Sequence, residues 1–270
     1  MDTARLVFAS ALTLVFAGAA SAQLKPPNEF GMTMGHIHLN VSDVEAQRKF
    51  WVDMFDAAPL KRDTLQGVMV PGMLVLFRKQ TPTSGTEGGV IDHLGLLVRD
   101  LDGLLKRAAD KGYRTLPVFK GSEGVPNSYV FGPDGVKIEL QTQSDQAEWV
   151  VAQHLHYMVK DPDALRTWYL TTFSMDGKMR GNHRSANVPG MNLSIDPLRR
   201  QPESFPIKGR AMDHFGFEVK NLEAFCKKLE AQGIKFDSPY RKIPAAGIAI
   251  AFLTDPEGAY IELTEGLDQY

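Results

Sequence analysis

The sequence predicts an α+β fold of four βαβββ units arranged as two tandem domains. Two observations lead there. A strand-helix-strand-strand-strand pattern of hydrophobic periodicity and turn residues recurs four times along the 270 residues. The halves also repeat one another in register. Val70-Pro71-Gly72-Met73 returns as Val188-Pro189-Gly190-Met191, a shift of 118 that also relates His36 to His154, Arg48 to Arg166 and Phe55 to Phe173. Gly132-Pro133-Asp134-Gly135 returns as Asp255-Pro256-Glu257-Gly258, a shift of 123 that also relates Glu139 to Glu262. Chance does not hold register across so many anchors, so the pattern indicates duplication of a domain that already contained two similar units. The boundaries fall at residues 34–142 and 152–265, with the polar stretch Gln143–Glu148 between them.

Each unit opens with a strand: Gly35–Val41, Ile91–Val98, Gln153–Val159 and Met212–Val219. A helix follows in each. Ser42-Asp43-Val44-Glu45 reads as a capping box that opens a helix to about Phe55, with Phe50, Trp51 and Phe55 on its buried side. Asp100 caps a helix carrying Leu101, Leu104, Leu105 and Ala108, which Gly112 ends. The third helix runs from about Pro162 to Phe173 and buries Trp168, Tyr169 and Phe173. Asn221 caps the fourth, which holds Leu222, Phe225, Cys226 and Leu229 and ends at Gly233. Further strands are expected at Leu60–Gln66, Gly67–Val70, Leu74–Arg78, Thr115–Phe119, Ser128–Phe131 and Val136–Thr142. In the second half they are expected at Lys178–His183, Met191–Ile195, Lys235–Tyr240, Ile248–Leu253 and Ala259–Leu263.

Composition narrows the function classes. The formal net charge is -2 and basic residues are interspersed with acidic ones, so there is no stripe to meet nucleic acid. Residues 1–22 read as a secretory signal peptide: Arg5, an apolar run from Leu6 to Ala20, and the cleavage pattern Ala20-Ser21-Ala22. The apolar run is short for a stable membrane span, and the expected destination after cleavage is the periplasm. Cys226, the single cysteine, permits neither an internal disulfide nor a thiolate metal site and reads as a small buried hydrophobe.

Of the seven histidines, six sit in the opening strands: His36, His38, His93, His154, His156 and His214. His36, His93 and Glu139 in one half recur as His154, His214 and Glu262 in the other. Two neutral imidazoles and one carboxylate form a facial triad suited to Fe(II), and also to Mn or Zn, with coordination positions left open. Strand alternation turns His38 and His156 to the same face as His36 and His154, as further ligands or as acid/base groups. Register favours His154 over His156 as the ligand. The run Asn182-His183-Arg184 reads as a solvated edge, or else as a contact for an anionic substrate. His156 and His183 are the acid/base candidates.

With a histidine opening each unit and a Pro-x-Gly turn before a closing glutamate, the sequence resembles the vicinal oxygen chelate superfamily over residues 34–265. That group includes glyoxalase I, extradiol dioxygenases and the fosfomycin- and bleomycin-resistance proteins. The resemblance implies two domains, each an incomplete mixed β-barrel around its own divalent metal. Four units in one chain look most like the two-domain extradiol dioxygenases, whose ligands map onto His154, His214 and Glu262, with Fe(II) the first choice and Mn, Zn, Ni or Co the others. Glyoxalase-like sites use a further ligand at positions that here hold Leu76 and Ser194. The extradiol pattern places a tyrosine before the Asp-Pro turn, where this chain has Phe252. The first half has Tyr129 there, followed by Gly132 rather than an acidic residue. The expected function is therefore metal-dependent chemistry on a small oxygenated substrate: a dioxygenase, a non-redox lyase or isomerase, or a protein that sequesters a small molecule. The halves either close within one subunit or pair with a second copy as a homo-oligomer.

Overall fold

Strands from the first quarter of the chain pair with strands from the last, and the two middle quarters pair with each other. The structure is a computed structural model describing residues 24–60, 65–199 and 202–269. The expected signal peptide lies outside the described residues, as do residues 61–64 of the expected strand Leu60–Gln66.

The first quarter holds β1 (Met32–Val41), α1 (Val44–Phe55), β2 (Ala58–Pro59), β3 (Gly67–Val70) and β4 (Met73–Lys79). The second holds β5 (Ile91–Val98), α2 (Leu101–Lys111), β6 (Arg114–Thr115), β7 (Phe119–Lys120), β8 (Pro126–Phe131) and β9 (Lys137–Thr142). The third comprises β10 (Val150–Val159), α3 (Pro162–Phe173), β11 (Arg184–Val188) and β12 (Met191–Pro197). The fourth comprises β13 (Met212–Val219), α4 (Leu222–Ala231), β14 (Ser238–Ile243), β15 (Ile248–Thr254) and β16 (Tyr260–Glu265).

These strands make two open, mixed sheets. One runs β14-β15-β16-β13-β1-β4-β3-β2 and the other β11-β12-β10-β5-β9-β8-β6, with β7 on β8. Antiparallel pairing of β1 with β13 and of β10 with β5 joins the quarters at the centre of each sheet. The opening strands are buried along almost their whole length. Most of their apolar residues join the core, and their histidines other than His38 are buried with them, as are Asn40, Asp213 and Glu218.

Helices hold the two sheets together. Asp43, rather than Ser42, caps α1, accepting from the backbone N–H groups of Glu45 and Ala46. α1 buries Phe50, Trp51, Met54 and Phe55, and Phe50 packs edge-on against Tyr113 beyond α2. In the second half, Phe173 of α3 stacks on Phe225 of α4, and the Tyr169 hydroxyl donates to Asp255. The duplication shows in the backbone too. α1 and α3 end on Asp56 and Ser174, both left-handed with φ 53°. Cys226 is buried, and burial pushes its thiol up to about 11.

Local expectations shift at several strands. Thr115–Phe119 is not one strand but two short ones, β6 and β7, with 116–118 between them outside the ladder, and the short strand before β3 is Ala58–Pro59, with Leu60, Leu65 and Gln66 outside it. β11 lies at Arg184–Val188 instead of Lys178–His183, because it pairs antiparallel with β12 from Arg184 onward while Lys178–His183 forms isolated bridges and turns. The last quarter's hairpin strand is Ser238–Ile243, displaced three residues toward the turn at Pro244.

Candidate metal centres

The pairing of opening strands decides which histidines meet. In the β1/β13 ladder His36 lies opposite Gly216 and His38 opposite His214. In the β10/β5 ladder His154 lies opposite Gly95 and His156 opposite His93. The parallel neighbours β16 and β9 then bring Glu262 beside Gly216 and Glu139 beside Gly95. Two clusters result, His36-His38-His214-Glu262 and His93-Glu139-His154-His156, each with its donor atoms within 4.8 Å of one another. All six residues expected as ligands thus fall in clusters, but not in the expected sets. His36 joins His214 and Glu262, and His154 joins His93 and Glu139. The expectation that each half of the chain encloses its own set is corrected by the sheets, which pair across the halves.

In the first cluster His36 Nε2 and His214 Nε2 stand 2.9 and 3.1 Å from the same oxygen, Glu262 Oε2. In the second, His93 Nε2 and His154 Nε2 stand 2.8 and 3.4 Å from Glu139 Oε2. The other face of each central imidazole is anchored. His93 Nδ1 donates to Asp92 Oδ1 and His214 Nδ1 to Asp213 Oδ1, both at 2.7 Å. A proton fixed on Nδ1 leaves the Nε2 lone pair directed at the cluster, the arrangement a metal ligand needs. Each aspartate is backed by a cation: Lys137 Nζ at 2.7 Å from Asp92 and Arg78 at 3.0 Å from Asp213.

The glycines opposite the outer histidines make the space. A Cβ on Gly95 would lie 1.9 Å from the His154 ring, and one on Gly216 would lie 2.1 Å from that of His36. His154 Nδ1 bonds to Gln153 Oε1 at 2.9 Å, while its buried Nε2 has no hydrogen-bond partner. Converging Nε2 atoms, a shared carboxylate oxygen, anchored Nδ1 protons and an orphaned buried nitrogen fit a divalent ion in either cluster.

Charge balance follows the same geometry. Burial alone would depress the His93 and His214 imidazoles, but their carboxylate partners outweigh it and hold them above the ordinary value. Burial favours the neutral forms of Glu139 and Glu262 as well. Hydrogen bonds and charge from the imidazoles overcome it and keep both acids well below the usual carboxylate range. Burial, reinforced by the Arg180 charge, depresses His154. It also lowers His156 to about 4, so that ring is neutral at physiological pH.

The two clusters differ in their surroundings. A cavity of about 500 Å³ opens onto the second, lined by His93, His156, Tyr129, Phe119, Leu116 and Arg199 among others. Tyr129 meets His93 edge-on and stacks on Phe119. The matching place beside His214 holds Phe252, stacked on Tyr260. The expected fourth-ligand positions hold Leu76 beside His38 and Ser194 beside His156, and neither side chain is a carboxylate.

His183 is not a solvated edge. It is buried, its Nδ1 lies 2.9 Å from Asp196 Oδ2, and its Nε2 lies 2.6 Å from Ser122 Oγ. Asn182 is exposed, and Arg184 pairs with Asp163 at 2.5 Å. Asp92, Asp213, Gly95 and Gly216 were open to sequence reasoning as the repeated Asp-His-x-Gly of β5 and β13, but only the sheet register gives them roles.

A family description, Glyoxalase/Bleomycin resistance protein/Dioxygenase superfamily, matches residues 33–140 and again 152–263. The chain belongs to that superfamily. Among solved structures it is similar to glyoxalase I from Zea mays, at 17% identity and a TM-score of 0.69, covering 88% of this chain and 94% of that one. A variant of the same Zea mays enzyme gives 15% identity and a TM-score of 0.70, over 88% and 95%. It is also similar to a protein from Bacillus subtilis described as a putative dioxygenase, at 13% identity and a TM-score of 0.62, over 90% and 86%. These likenesses show the fold. No curated protein matches the chain.

Proposed function

We propose that this chain is a divalent-metal-dependent enzyme acting on a small substrate with vicinal oxygens, with His93, His154 and Glu139 as its working metal ligands. One observation carries the reading: a cavity of about 500 Å³ reaches His93 and His156 beside this donor set. Two imidazoles and a single carboxylate favour Fe(II) and an extradiol-type dioxygenase over a non-redox lyase. Bound there, iron(II) supplies Lewis acidity and one-electron chemistry to a chelating substrate and to dioxygen.

The chain's own groups do the rest. Asp92 holds the His93 ring in the tautomer that presents Nε2. Leu116, Pro117 and Phe119 give the cavity an apolar wall that excludes water from an aromatic or aliphatic body. Tyr129 closes the side next to His93. His156, on the cavity wall, is the group placed to accept a proton from a substrate hydroxyl.

Metal analysis of the purified protein, followed by oxygen uptake with catechols, tests the reading. Iron with oxygen consumption that His93→Ala abolishes supports it. Zinc or nickel with turnover of hemithioacetals and no oxygen uptake replaces the dioxygenase branch. Tight ligand binding without metal or turnover overturns the enzyme reading.

A further inference from the structure

The duplication supplies an internal control for one feature outside both expected ligand sets. His156 Nε2 and His183 Nδ1 lie 3.2 and 2.9 Å from a single oxygen, Asp196 Oδ2. All three residues are buried, and their donor atoms lie within 4.8 Å of one another. In the other half the register matches Asp196 with Arg78, since Asn40 pairs with Arg78 as Met158 pairs with Asp196. The shift of 118 puts Leu65 where the third quarter has His183. Two imidazoles and a carboxylate are therefore gathered beside the centre onto which the cavity of about 500 Å³ opens, and the matching positions of the other half, Arg78 and Leu65, do not repeat them.

The geometry points to a second cation site, His156-His183-Asp196, adjoining His93-His154-Glu139 to form a two-metal centre with the His156 ring between them. The distances carry this. The His156 ring centroid is 4.6 Å from that of His93 and 5.1 Å from that of His183. With Nε2 beside Asp196 as the ligand nitrogen, His156 keeps Nδ1, which has no hydrogen-bond partner, as the nitrogen that accepts a substrate proton. Ser122 Oγ lies 2.6 Å from His183 Nε2, where it can accept a hydrogen bond from that nitrogen in the tautomer that leaves Nδ1 to act as a ligand. The donors are borderline nitrogen and hard oxygen, which suit Zn, Mn, Co or Fe and disfavour calcium. Arg199 also reaches Asp196, from a largely exposed position on the cavity wall. It neutralises the carboxylate when no ion is present and competes with one that binds. Two ions placed this way would clamp neighbouring oxygens of one substrate.

Titration with Mn(II) and Zn(II), read by elemental analysis and by electron paramagnetic resonance, tests the site without recourse to activity. In wild type, full Mn(II) loading is expected to give a spin-coupled signal. His183→Gln and Asp196→Asn should each lose one ion per chain and leave an uncoupled signal, while His93→Gln loses a different ion. Arg199→Ala should tighten the site roughly fivefold, the effect of removing one exposed ion pair. Unchanged stoichiometry in both His183→Gln and Asp196→Asn, or an uncoupled spectrum from fully loaded wild type, would overturn the proposal. Loss of an ion in His183→Gln with none lost in His93→Gln would keep this site and sink the proposed working centre instead. Thermal unfolding separates ion loss from misfolding, and should Asp196→Asn not fold, the wild-type spectrum decides alone.

Discussion

The His154 ring occupies the space a side chain at Gly95 would need: an added Cβ would sit 1.9 Å from His154 Cε1. The same relation holds between Gly216 and His36, where the distance is 2.1 Å. A ring packed inside a sheet cannot move aside without disturbing the strand that carries it. Gly95→Ala is therefore expected to displace His154, to lower stability by about 1–3 kcal/mol as overpacking does, and to empty the cavity-fronted centre of metal. Gly216→Ala should do this to the other centre. Thermal midpoints and metal content check both, and a fully loaded Gly95→Ala of normal stability would contradict the packing.

The crossed pairing of ligands makes a stoichiometric statement. His36→Ala with His214→Ala removes two ligands from one centre, whereas His36→Ala with His93→Ala removes one from each. At saturating metal the first double variant should lose one ion per chain and the second two. The opposite ranking would restore the grouping by sequence halves.

Asp92→Asn is expected to weaken metal at the cavity-fronted centre by roughly 10–100-fold while leaving the His214 centre unchanged. The amide no longer demands a proton on His93 Nδ1, so the tautomer that presents Nε2 loses its anchor. Competition with a chelator measures the effect. An equal loss at both centres would mean that the substitution acts through the fold and not through the imidazole.

Glu218 sets a pH dependence of stability apart from either centre. Burial raises its carboxyl to about 7, against bonds from Thr264, Gly266 and Leu267 that work the other way. The folded chain then holds this proton after the unfolded chain has released it near the ordinary value of 4.5. Its contribution is intact below about 4.5 and is lost as pH rises toward 7, a decline of about 3 kcal/mol. Urea midpoints between pH 5 and 7.5 should fall for wild type and level out for Glu218→Gln. A slope that survives the substitution would assign the dependence to another group.

Much of this was legible in the sequence because it is local. Helix α3 begins and ends at Pro162 and Phe173 as its periodicity and αL cap require, and Asp100, Asn221 and Gly112 stop or start helices where expected. The six residues of the two clusters that were expected as ligands were legible through repetition. Their grouping was not, and duplication is the reason. His36 and His154 are the same residue of the ancestral unit, so exchanging them leaves every motif and spacing argument unchanged. Only the antiparallel register of β1 on β13 and β10 on β5 breaks that degeneracy. His183 stands out in the sequence as an acid/base candidate, but its burial does not: its partners Ser122 and Asp196 come from separate quarters, and its polar neighbours Asn182 and Arg184 mimic a surface turn.

The β11–β6 sheet uses one unbroken stretch of chain, β5 to β12, while the other sheet brackets it from both sides. During synthesis the bracketed sheet can finish first, since all of its strands have emerged by Pro197. Strand β1 must wait for β13, some 170 residues later, with its hydrogen-bonding edge unpaired. A nascent chain halted after Pro197 would already own His93, Glu139 and His154 but would leave His36 without His214 or Glu262. The order of the chain thus lets the cavity-fronted cluster assemble before the other.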